Sequence, residues 1–117
     1  MKILVVDTET TGLPKKRNTS IYESNNWPYI VQLSYILFDI NNYIIEEICD
    51  NIVKIPDNIF MPQFIINIHK ISNEISHNEG KNVKIVLNKF KKCCLRADCI
   101  VGHNIVFDKN IILAEAF

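Results

Sequence analysis

The residue pattern predicts an α/β domain whose strands come first and whose longer helices come last. Three observations carry that reading. Short aliphatic, β-branched runs recur between residues 3 and 55, each too short for a helix. Apolar side chains fall at helical spacing only after Gly80, and a brief apolar segment closed by Gly102 then leads straight into another helix.

Taken in order, Ile3 to Asp7 is an aliphatic run ending in an acid and reads as a buried strand. Thr10, Thr11 and Gly12 turn the chain, the glycine permitting close backbone approach to a ligand. Pro14 to Trp27 is a polar loop containing Lys15-Lys16-Arg17, a triplet able to hold phosphates, although such runs are usually just solvated. Tyr29 to Asp39 is apolar on nearly both faces and therefore central in its sheet. Asn41-Asn42 turns the chain, and Tyr43 to Ile55 completes a hairpin. Pro56-Asp57-Asn58 breaks the sheet, and Pro62 to Ser76 is expected to be irregular, with one or two short helical turns.

Val83, Val86, Leu87, Phe90 and Cys94 form the buried stripe of an amphipathic helix whose solvent face carries Lys84, Asn88, Lys91 and Lys92. Asp98 to Gly102 is a short strand. Asn104 is positioned to cap a last helix, which presents Ile105 and Ile112 to the core and has barely started at Phe117.

The 117 residues make one domain at most, and 48% hydrophobic content argues for a folded chain rather than a disordered one. Thirteen basic residues balance thirteen acidic ones, so no global field attracts nucleic acid and any such contact is local. Asp7 cuts off the apolar run after Met1-Lys2 before a signal peptide is complete, and no stretch is long enough to span a membrane. A soluble intracellular protein, cytoplasmic or nuclear, is expected. Cys49, Cys93, Cys94 and Cys99 lack the spacing of a secreted framework and read as reduced thiols. Cys93, Cys94, Cys99 and His103 make a poor zinc set, because adjacent cysteines on a helix point apart and no C-x-x-C is present.

The acidic residues carry the chemistry. Asp7 and Glu9 lie two apart, so on an extended backbone both project from one face of the strand and can converge. Two carboxylates that close repel unless a cation neutralises them, and hard oxygen ligands suit Mg²⁺ or Mn²⁺, which bridge carboxylates to substrate phosphates. Their place at a strand's carboxyl end is where open sheets keep their active sites. Asp108 falls in the first turn of the last helix, where the helix dipole favours an anion, and its side chain can face the end of the strand just before it.

Two separated motifs then resemble one family. Val6-Asp7-Thr8-Glu9-Thr10-Thr11-Gly12-Leu13 resembles the first motif of the DnaQ-like, or DEDD, 3′–5′ exonucleases, and Val101-Gly102-His103-Asn104-Ile105-Val106-Phe107-Asp108 resembles their second. The segment around His69-Lys70-Ile71 resembles the stretch that joins them. The resemblance implies a ribonuclease-H-like mixed sheet: three antiparallel strands, a helix, a fourth strand parallel to the first, and another helix. It also implies a two-metal site for Mg²⁺ or Mn²⁺, with Asp7 bridging both ions, Glu9 helping to hold the ion that activates water, and Asp108 serving the other. The backbone around Thr10 and Thr11 and the side chain of Leu13 would cradle the terminal nucleotide, with Phe107 as a base contact.

On this resemblance the chain is a metal-dependent exonuclease that removes nucleotides from DNA or RNA 3′ ends. Its partner is the nucleic acid 3′ end, with a second copy of the chain, a polymerase or another protein as further candidates. The family's third motif supplies a fourth carboxylate and the His or Tyr that orients the attacking water. Among these residues nothing fills that role, since His103 belongs to the second motif and His69 and His77 read as surface histidines. Residues 1–117 are therefore expected to be a single exonuclease-like domain truncated at its C-terminus. The alternative function is a catalytically inactive scaffold that binds nucleic acid or a partner protein.

Overall fold

Alternation of apolar and polar residues decides where the strands lie and which way they face. The computed structural model describes residues 1–15 and 19–116, so Lys16 and Arg17 of the basic triplet lie outside the described residues. Strand β1 spans Lys2–Thr10, extending the Ile3–Asp7 run by one residue before it and three after. Strands β2 (Ile30–Asp39) and β3 (Ile44–Ile52) form the expected hairpin. Its turn is closed by Asp39, whose Oδ1 accepts the Asn41 and Asn42 N–H groups at 3.0 and 3.3 Å, and by Tyr43 in the left-handed region at φ 56°. Strand β4 is short, Cys99–Val101.

The sheet order is β3-β2-β1-β4. β1 runs antiparallel to β2 and parallel to β4, pairing Ile3 with Cys99 and Val5 with Val101. β2 is central, as its two-sided apolar pattern implied.

Among the described residues four α-helices follow β2 and β3 in the chain or flank β4: α1 (Gln63–His69), α2 (Asn73–Glu79), α3 (Val83–Arg96) and α4 (Ile105–Ala116). The segment expected to be irregular thus holds two complete short helices. Ser72 caps α2 by accepting the Ile75 N–H at 3.0 Å, and Asn82 caps α3 by accepting that of Lys84 at 2.9 Å. The last helix also exceeds its expectation, running three turns.

Leu4 and Val6 of β1, Leu33, Tyr35 and Leu37 of β2, Val86, Phe90 and Cys93 of α3, and Ile111 and Ala114 of α4 make the main core. Two expectations shift by one position here. Cys93, 3% exposed, replaces Cys94 as the buried thiol, and Ile111 rather than Ile112 is fully enclosed, leaving Cys94, Ile105 and Ile112 half-buried at the margin. A one-residue step turns a helical side chain by about 100°, enough to swing it to the edge of the buried stripe. Lys84, Asn88, Lys91 and Lys92 do face solvent.

A second core lies under α1 and α2, where Val31, Ile55, Met61 and Ile71 are enclosed by Ile65, Ile66 and Ile75. Ser76 of α2 fastens it to the sheet, its hydroxyl accepting the Ile55 N–H at 3.1 Å and donating to the Val53 carbonyl at 2.9 Å. Among the described residues no helix is long and apolar enough to cross a membrane.

Candidate active site

The three acids reach the carboxyl end of β1 by different routes. Asp7 is exposed and Glu9 half-buried on one face of the strand, while Thr8 between them turns inward, 8% exposed. Asp108 comes from the first turn of α4, which starts as the Phe107 and Asp108 N–H groups donate to the Asn104 carbonyl at 3.0 and 3.2 Å. It is only 4% exposed.

A buried carboxylate needs donors, and Thr8 supplies two. Asp108 Oδ1 accepts the Thr8 N–H at 3.0 Å and the Thr8 hydroxyl at 2.6 Å. The sequence pointed Asp108 at the end of β4. Its hydrogen bonds run instead to β1, against which α4 packs after leaving β4, the parallel neighbour of β1. β4's end is nonetheless adjacent: a β-carbon on Gly102 would lie 3.5 Å from Asp108 Oδ2 and 2.9 Å from the Val6 carbonyl. Only glycine leaves room here for the Val6 carbonyl beside the Ile105 and Asp108 side chains.

The acids sense one another. Partial burial, then the charge of Asp7, then that of Asp108, push the Glu9 carboxyl above its usual range. They do not share one recess, however. Asp7 borders a groove of about 560 Å³ with Val5, Val101, Gly102 and His103. Glu9 borders another of about 500 Å³, whose walls include Thr10, Thr11, Leu13, His69 and Phe107.

That second groove gathers every residue expected to contact a nucleotide. Leu13 stands 80% exposed at its mouth, and Phe107 is braced by Trp27, ring centroids 6.5 Å apart. The threonines hold the turn itself. Thr10 Oγ1 donates to the Gly12 carbonyl at 2.6 Å, Thr11 N–H donates to the Tyr29 carbonyl at 2.9 Å, and Thr11 Oγ1 accepts the Tyr29 N–H at 3.0 Å. A β-carbon on Gly12 would meet nothing within 4 Å, so the space above the turn is open.

His69 was read as a surface residue, and the structure places it in the groove wall. Its Nδ1 accepts the Ile71 N–H at 3.1 Å, which puts the ring proton on Nε2, a buried atom without a hydrogen-bond partner. Burial pushes its pKa down, and the backbone of Thr10 opposes that shift. The available signal was position: His69 closes α1 immediately before the Ser72 cap, so helix α1 carries it to the turn. His77 is also half-buried.

The donor set fits a hard divalent cation by its chemistry, three carboxylates of which one is destabilised as an anion by burial and then by the other two. Among the described residues no three His, Cys, Asp or Glu side chains are grouped closely enough to hold an ion unaided.

The Exonuclease family model (RNase_T) matches residues 4–117. A product-bound structure of exonuclease I is 19% identical, with a TM-score of 0.74 over 95% of this chain and 24% of that one. E. coli exonuclease I in complex with a dT13 oligonucleotide is 18% identical, with a TM-score of 0.72 over 95% of this chain and 22% of that one. The complex of exonuclease I with SSB-Ct gives 18% and 0.73, over 95% and 22%. The shared feature is the ribonuclease-H-like fold, with its three antiparallel strands and one parallel strand, and this chain spans about a quarter of the length of those chains. No curated protein sequence matches.

Proposed function

Because the chain belongs to the exonuclease family across residues 4–117, we propose that it forms the metal-dependent core of a 3′–5′ exonuclease acting on DNA or RNA ends. The observation that carries this reading is the meeting of Asp7, Glu9 and Asp108 at the end of one strand, beside a groove lined by Leu13 and Phe107. The oligonucleotide in the exonuclease I complex supports a single strand as the first substrate to try.

In this mechanism Asp7, Glu9 and Asp108 would hold the divalent ions. When bound, such ions stabilise the attacking hydroxide and the leaving 3′ oxygen of a phosphodiester. The chain's own residues do the positioning. Leu13 and Phe107 form apolar walls against which a terminal base and sugar can pack. Thr10 and Thr11 spend their hydroxyls on keeping the turn rigid, so the groove is formed before a nucleotide arrives. Thr8 holds Asp108 through Oδ1, leaving Oδ2 without a bond from Thr8 and turned toward Gly102.

The test is Mn²⁺-dependent release of nucleotides from a single-stranded oligonucleotide labelled at its 5′ end, so that shortening from the 3′ end appears as a descending ladder. Asp7→Ala and Asp108→Ala are each expected to lower the rate by at least roughly 100-fold. Shortening from the other end, or cleavage indifferent to both substitutions, would overturn the proposal. Oligonucleotide binding without cleavage would favour the scaffold reading instead.

A further inference from the structure

Away from the carboxylates, the face shared by β2, β3 and α3 contains an arrangement that the nuclease chemistry does not use. Tyr35 and Cys49 are directly opposite one another in the β2–β3 register, and Asn51 follows Cys49 by two residues, so all three side chains leave the sheet on the same side. Tyr35 is 2% exposed and Asn51 4% exposed. Each buries a donor without a hydrogen-bond partner: the Tyr35 hydroxyl and the Asn51 Nδ2.

Neither orientation is accidental. The Asn51 amide is fixed by its other end, Oδ1 accepting from Lys81 Nζ at 3.1 Å, and the Tyr35 ring is fixed against Phe90 with centroids 5.1 Å apart. Both orphan donors neighbour Cys49, which is half-buried. Across from them α3 brings Lys89 to the same residue, with Cys93 one helical turn further on and Glu47 nearby on β3.

A neutral thiol is a weak acceptor, and leaving two buried donors around it is costly. A sulfur anion accepts from both and pairs with the ammonium. We propose that Cys49 is a modification site, held as a thiolate by Tyr35, Asn51 and Lys89 and reactive toward hydroperoxides and other soft electrophiles.

The electrostatics agree with the geometry. Burial alone pushes the Cys49 thiol up, but the nearby Tyr35 hydroxyl, the Lys89 ammonium and the Asn51 amide together hold it below its ordinary value. Burial pushes Cys93 and Cys94 up, and no comparable donor set offsets it there. With a hydroperoxide, the thiolate lone pair attacks the terminal oxygen and the O–O bond breaks. The leaving hydroxide or alkoxide takes a proton from water. Sulfur is oxidised by two electrons to the sulfenic acid, and the peroxide is reduced to water or an alcohol.

The experiment is timed alkylation of the intact chain with iodoacetamide at neutral pH, read cysteine by cysteine through peptide mass spectrometry. Cys49 is expected to react first, roughly tenfold faster than Cys94, and Lys89→Met to slow it by roughly three- to tenfold. Lys89 is exposed, so that variant keeps the fold. Tyr35→Phe removes the second donor while keeping the ring and is expected to slow Cys49 as well. After brief hydrogen peroxide treatment, a dimedone adduct is expected on the Cys49 peptide. If Cys49 reacts no faster than Cys94, or if Lys89→Met leaves its rate unchanged, the proposal is overturned.

Discussion

Gly80 and Gly102 occupy equivalent places, each where a helix meets the sheet with no room for a β-carbon, and what surrounds them differs. At Gly80 that carbon would lie 2.5 Å from Lys54 N and closer still to the Ser76 carbonyl. Both neighbours are backbone. They belong to a joint in which Gly80 N–H donates to Ser76, Lys54 N–H to Lys81 and Lys81 N–H to Ile52, at 2.8–3.0 Å. At Gly102 the neighbours are the Val6 carbonyl at 2.9 Å, the tip of Ile105 at 3.3 Å and Asp108 Oδ2 at 3.5 Å. One joint closes the fold and the other closes the site. The same absence of a side chain therefore serves stability in one place and carboxylate placement in the other.

The largest break in this comparison is expected from Gly80→Ala. Neither backbone neighbour can yield without opening the joint, so the loss should reach about 3 kcal/mol or more, against which reduced freedom of the unfolded chain offsets at most about 1 kcal/mol. Urea denaturation measures it. A midpoint close to that of the parent chain would mean that the joint is looser than drawn.

Thr8→Val comes next, since it removes the 2.6 Å hydroxyl bond to a buried carboxylate while keeping the shape. A charge-assisted bond of this kind is expected to contribute about 1.5–3 kcal/mol, and Thr8→Ser should restore most of it. A Thr8→Val chain as stable as the parent would mean that the hydroxyl bond to Asp108 contributes nothing net. Gly102→Ala should cost less stability, about 1–2 kcal/mol, because one of its three neighbours is the flexible end of Ile105. Its effect on Mn²⁺-dependent nucleotide release should be the larger of its two effects, roughly tenfold or more, through displacement of Asp108. A Gly102→Ala chain that is badly unfolded yet fully active per folded molecule would erase the distinction between the two joints.

How much of this was legible beforehand follows from what each feature depends on. Asp7, Glu9 and Asp108 stood in the two motifs, and the order of elements along the chain followed from the period of the apolar residues, whereas the parallel pairing of β4 with β1 came only from the family resemblance. The bond from Thr8 to Asp108 was not legible, because it joins residues 100 apart that meet only once β4 pairs in parallel with β1. α1 and α2 were legible only as one or two helical turns because each is seven residues long and α1 is rich in isoleucine, a weak helix former that packing against Val31 and Met61 overrides. His69 was hidden with them. Choosing Cys94 over Cys93 reflects the limit of a periodic argument, which finds the stripe but not its centre line.

The smallest expected effect sharpens the comparison from its structural side. Glu115 of α4 lies beside the Gly80 joint, bordering a cavity of about 290 Å³ with Lys54, Asn82 and Val83. Burial raises its carboxyl pKa, with the backbone of Ile30 pulling the other way. A carboxyl whose folded pKa is raised is at no disadvantage below its unfolded value, where both states are protonated. As pH climbs through the folded value, ionisation costs the folded state more than the unfolded one, and stability falls. Glu115→Gln keeps the shape and cannot ionise. It is therefore expected to be more stable than the parent chain at pH 7 and indistinguishable from it at pH 4, in thermal denaturation at the two pH values. Equal stability at pH 7 would mean that water or the Lys54 ammonium already relieves this carboxylate. In the expected case, the Glu115 charge is a pure cost to the fold, while the mutual repulsion raising Glu9 is the kind of cost that a bound cation can offset.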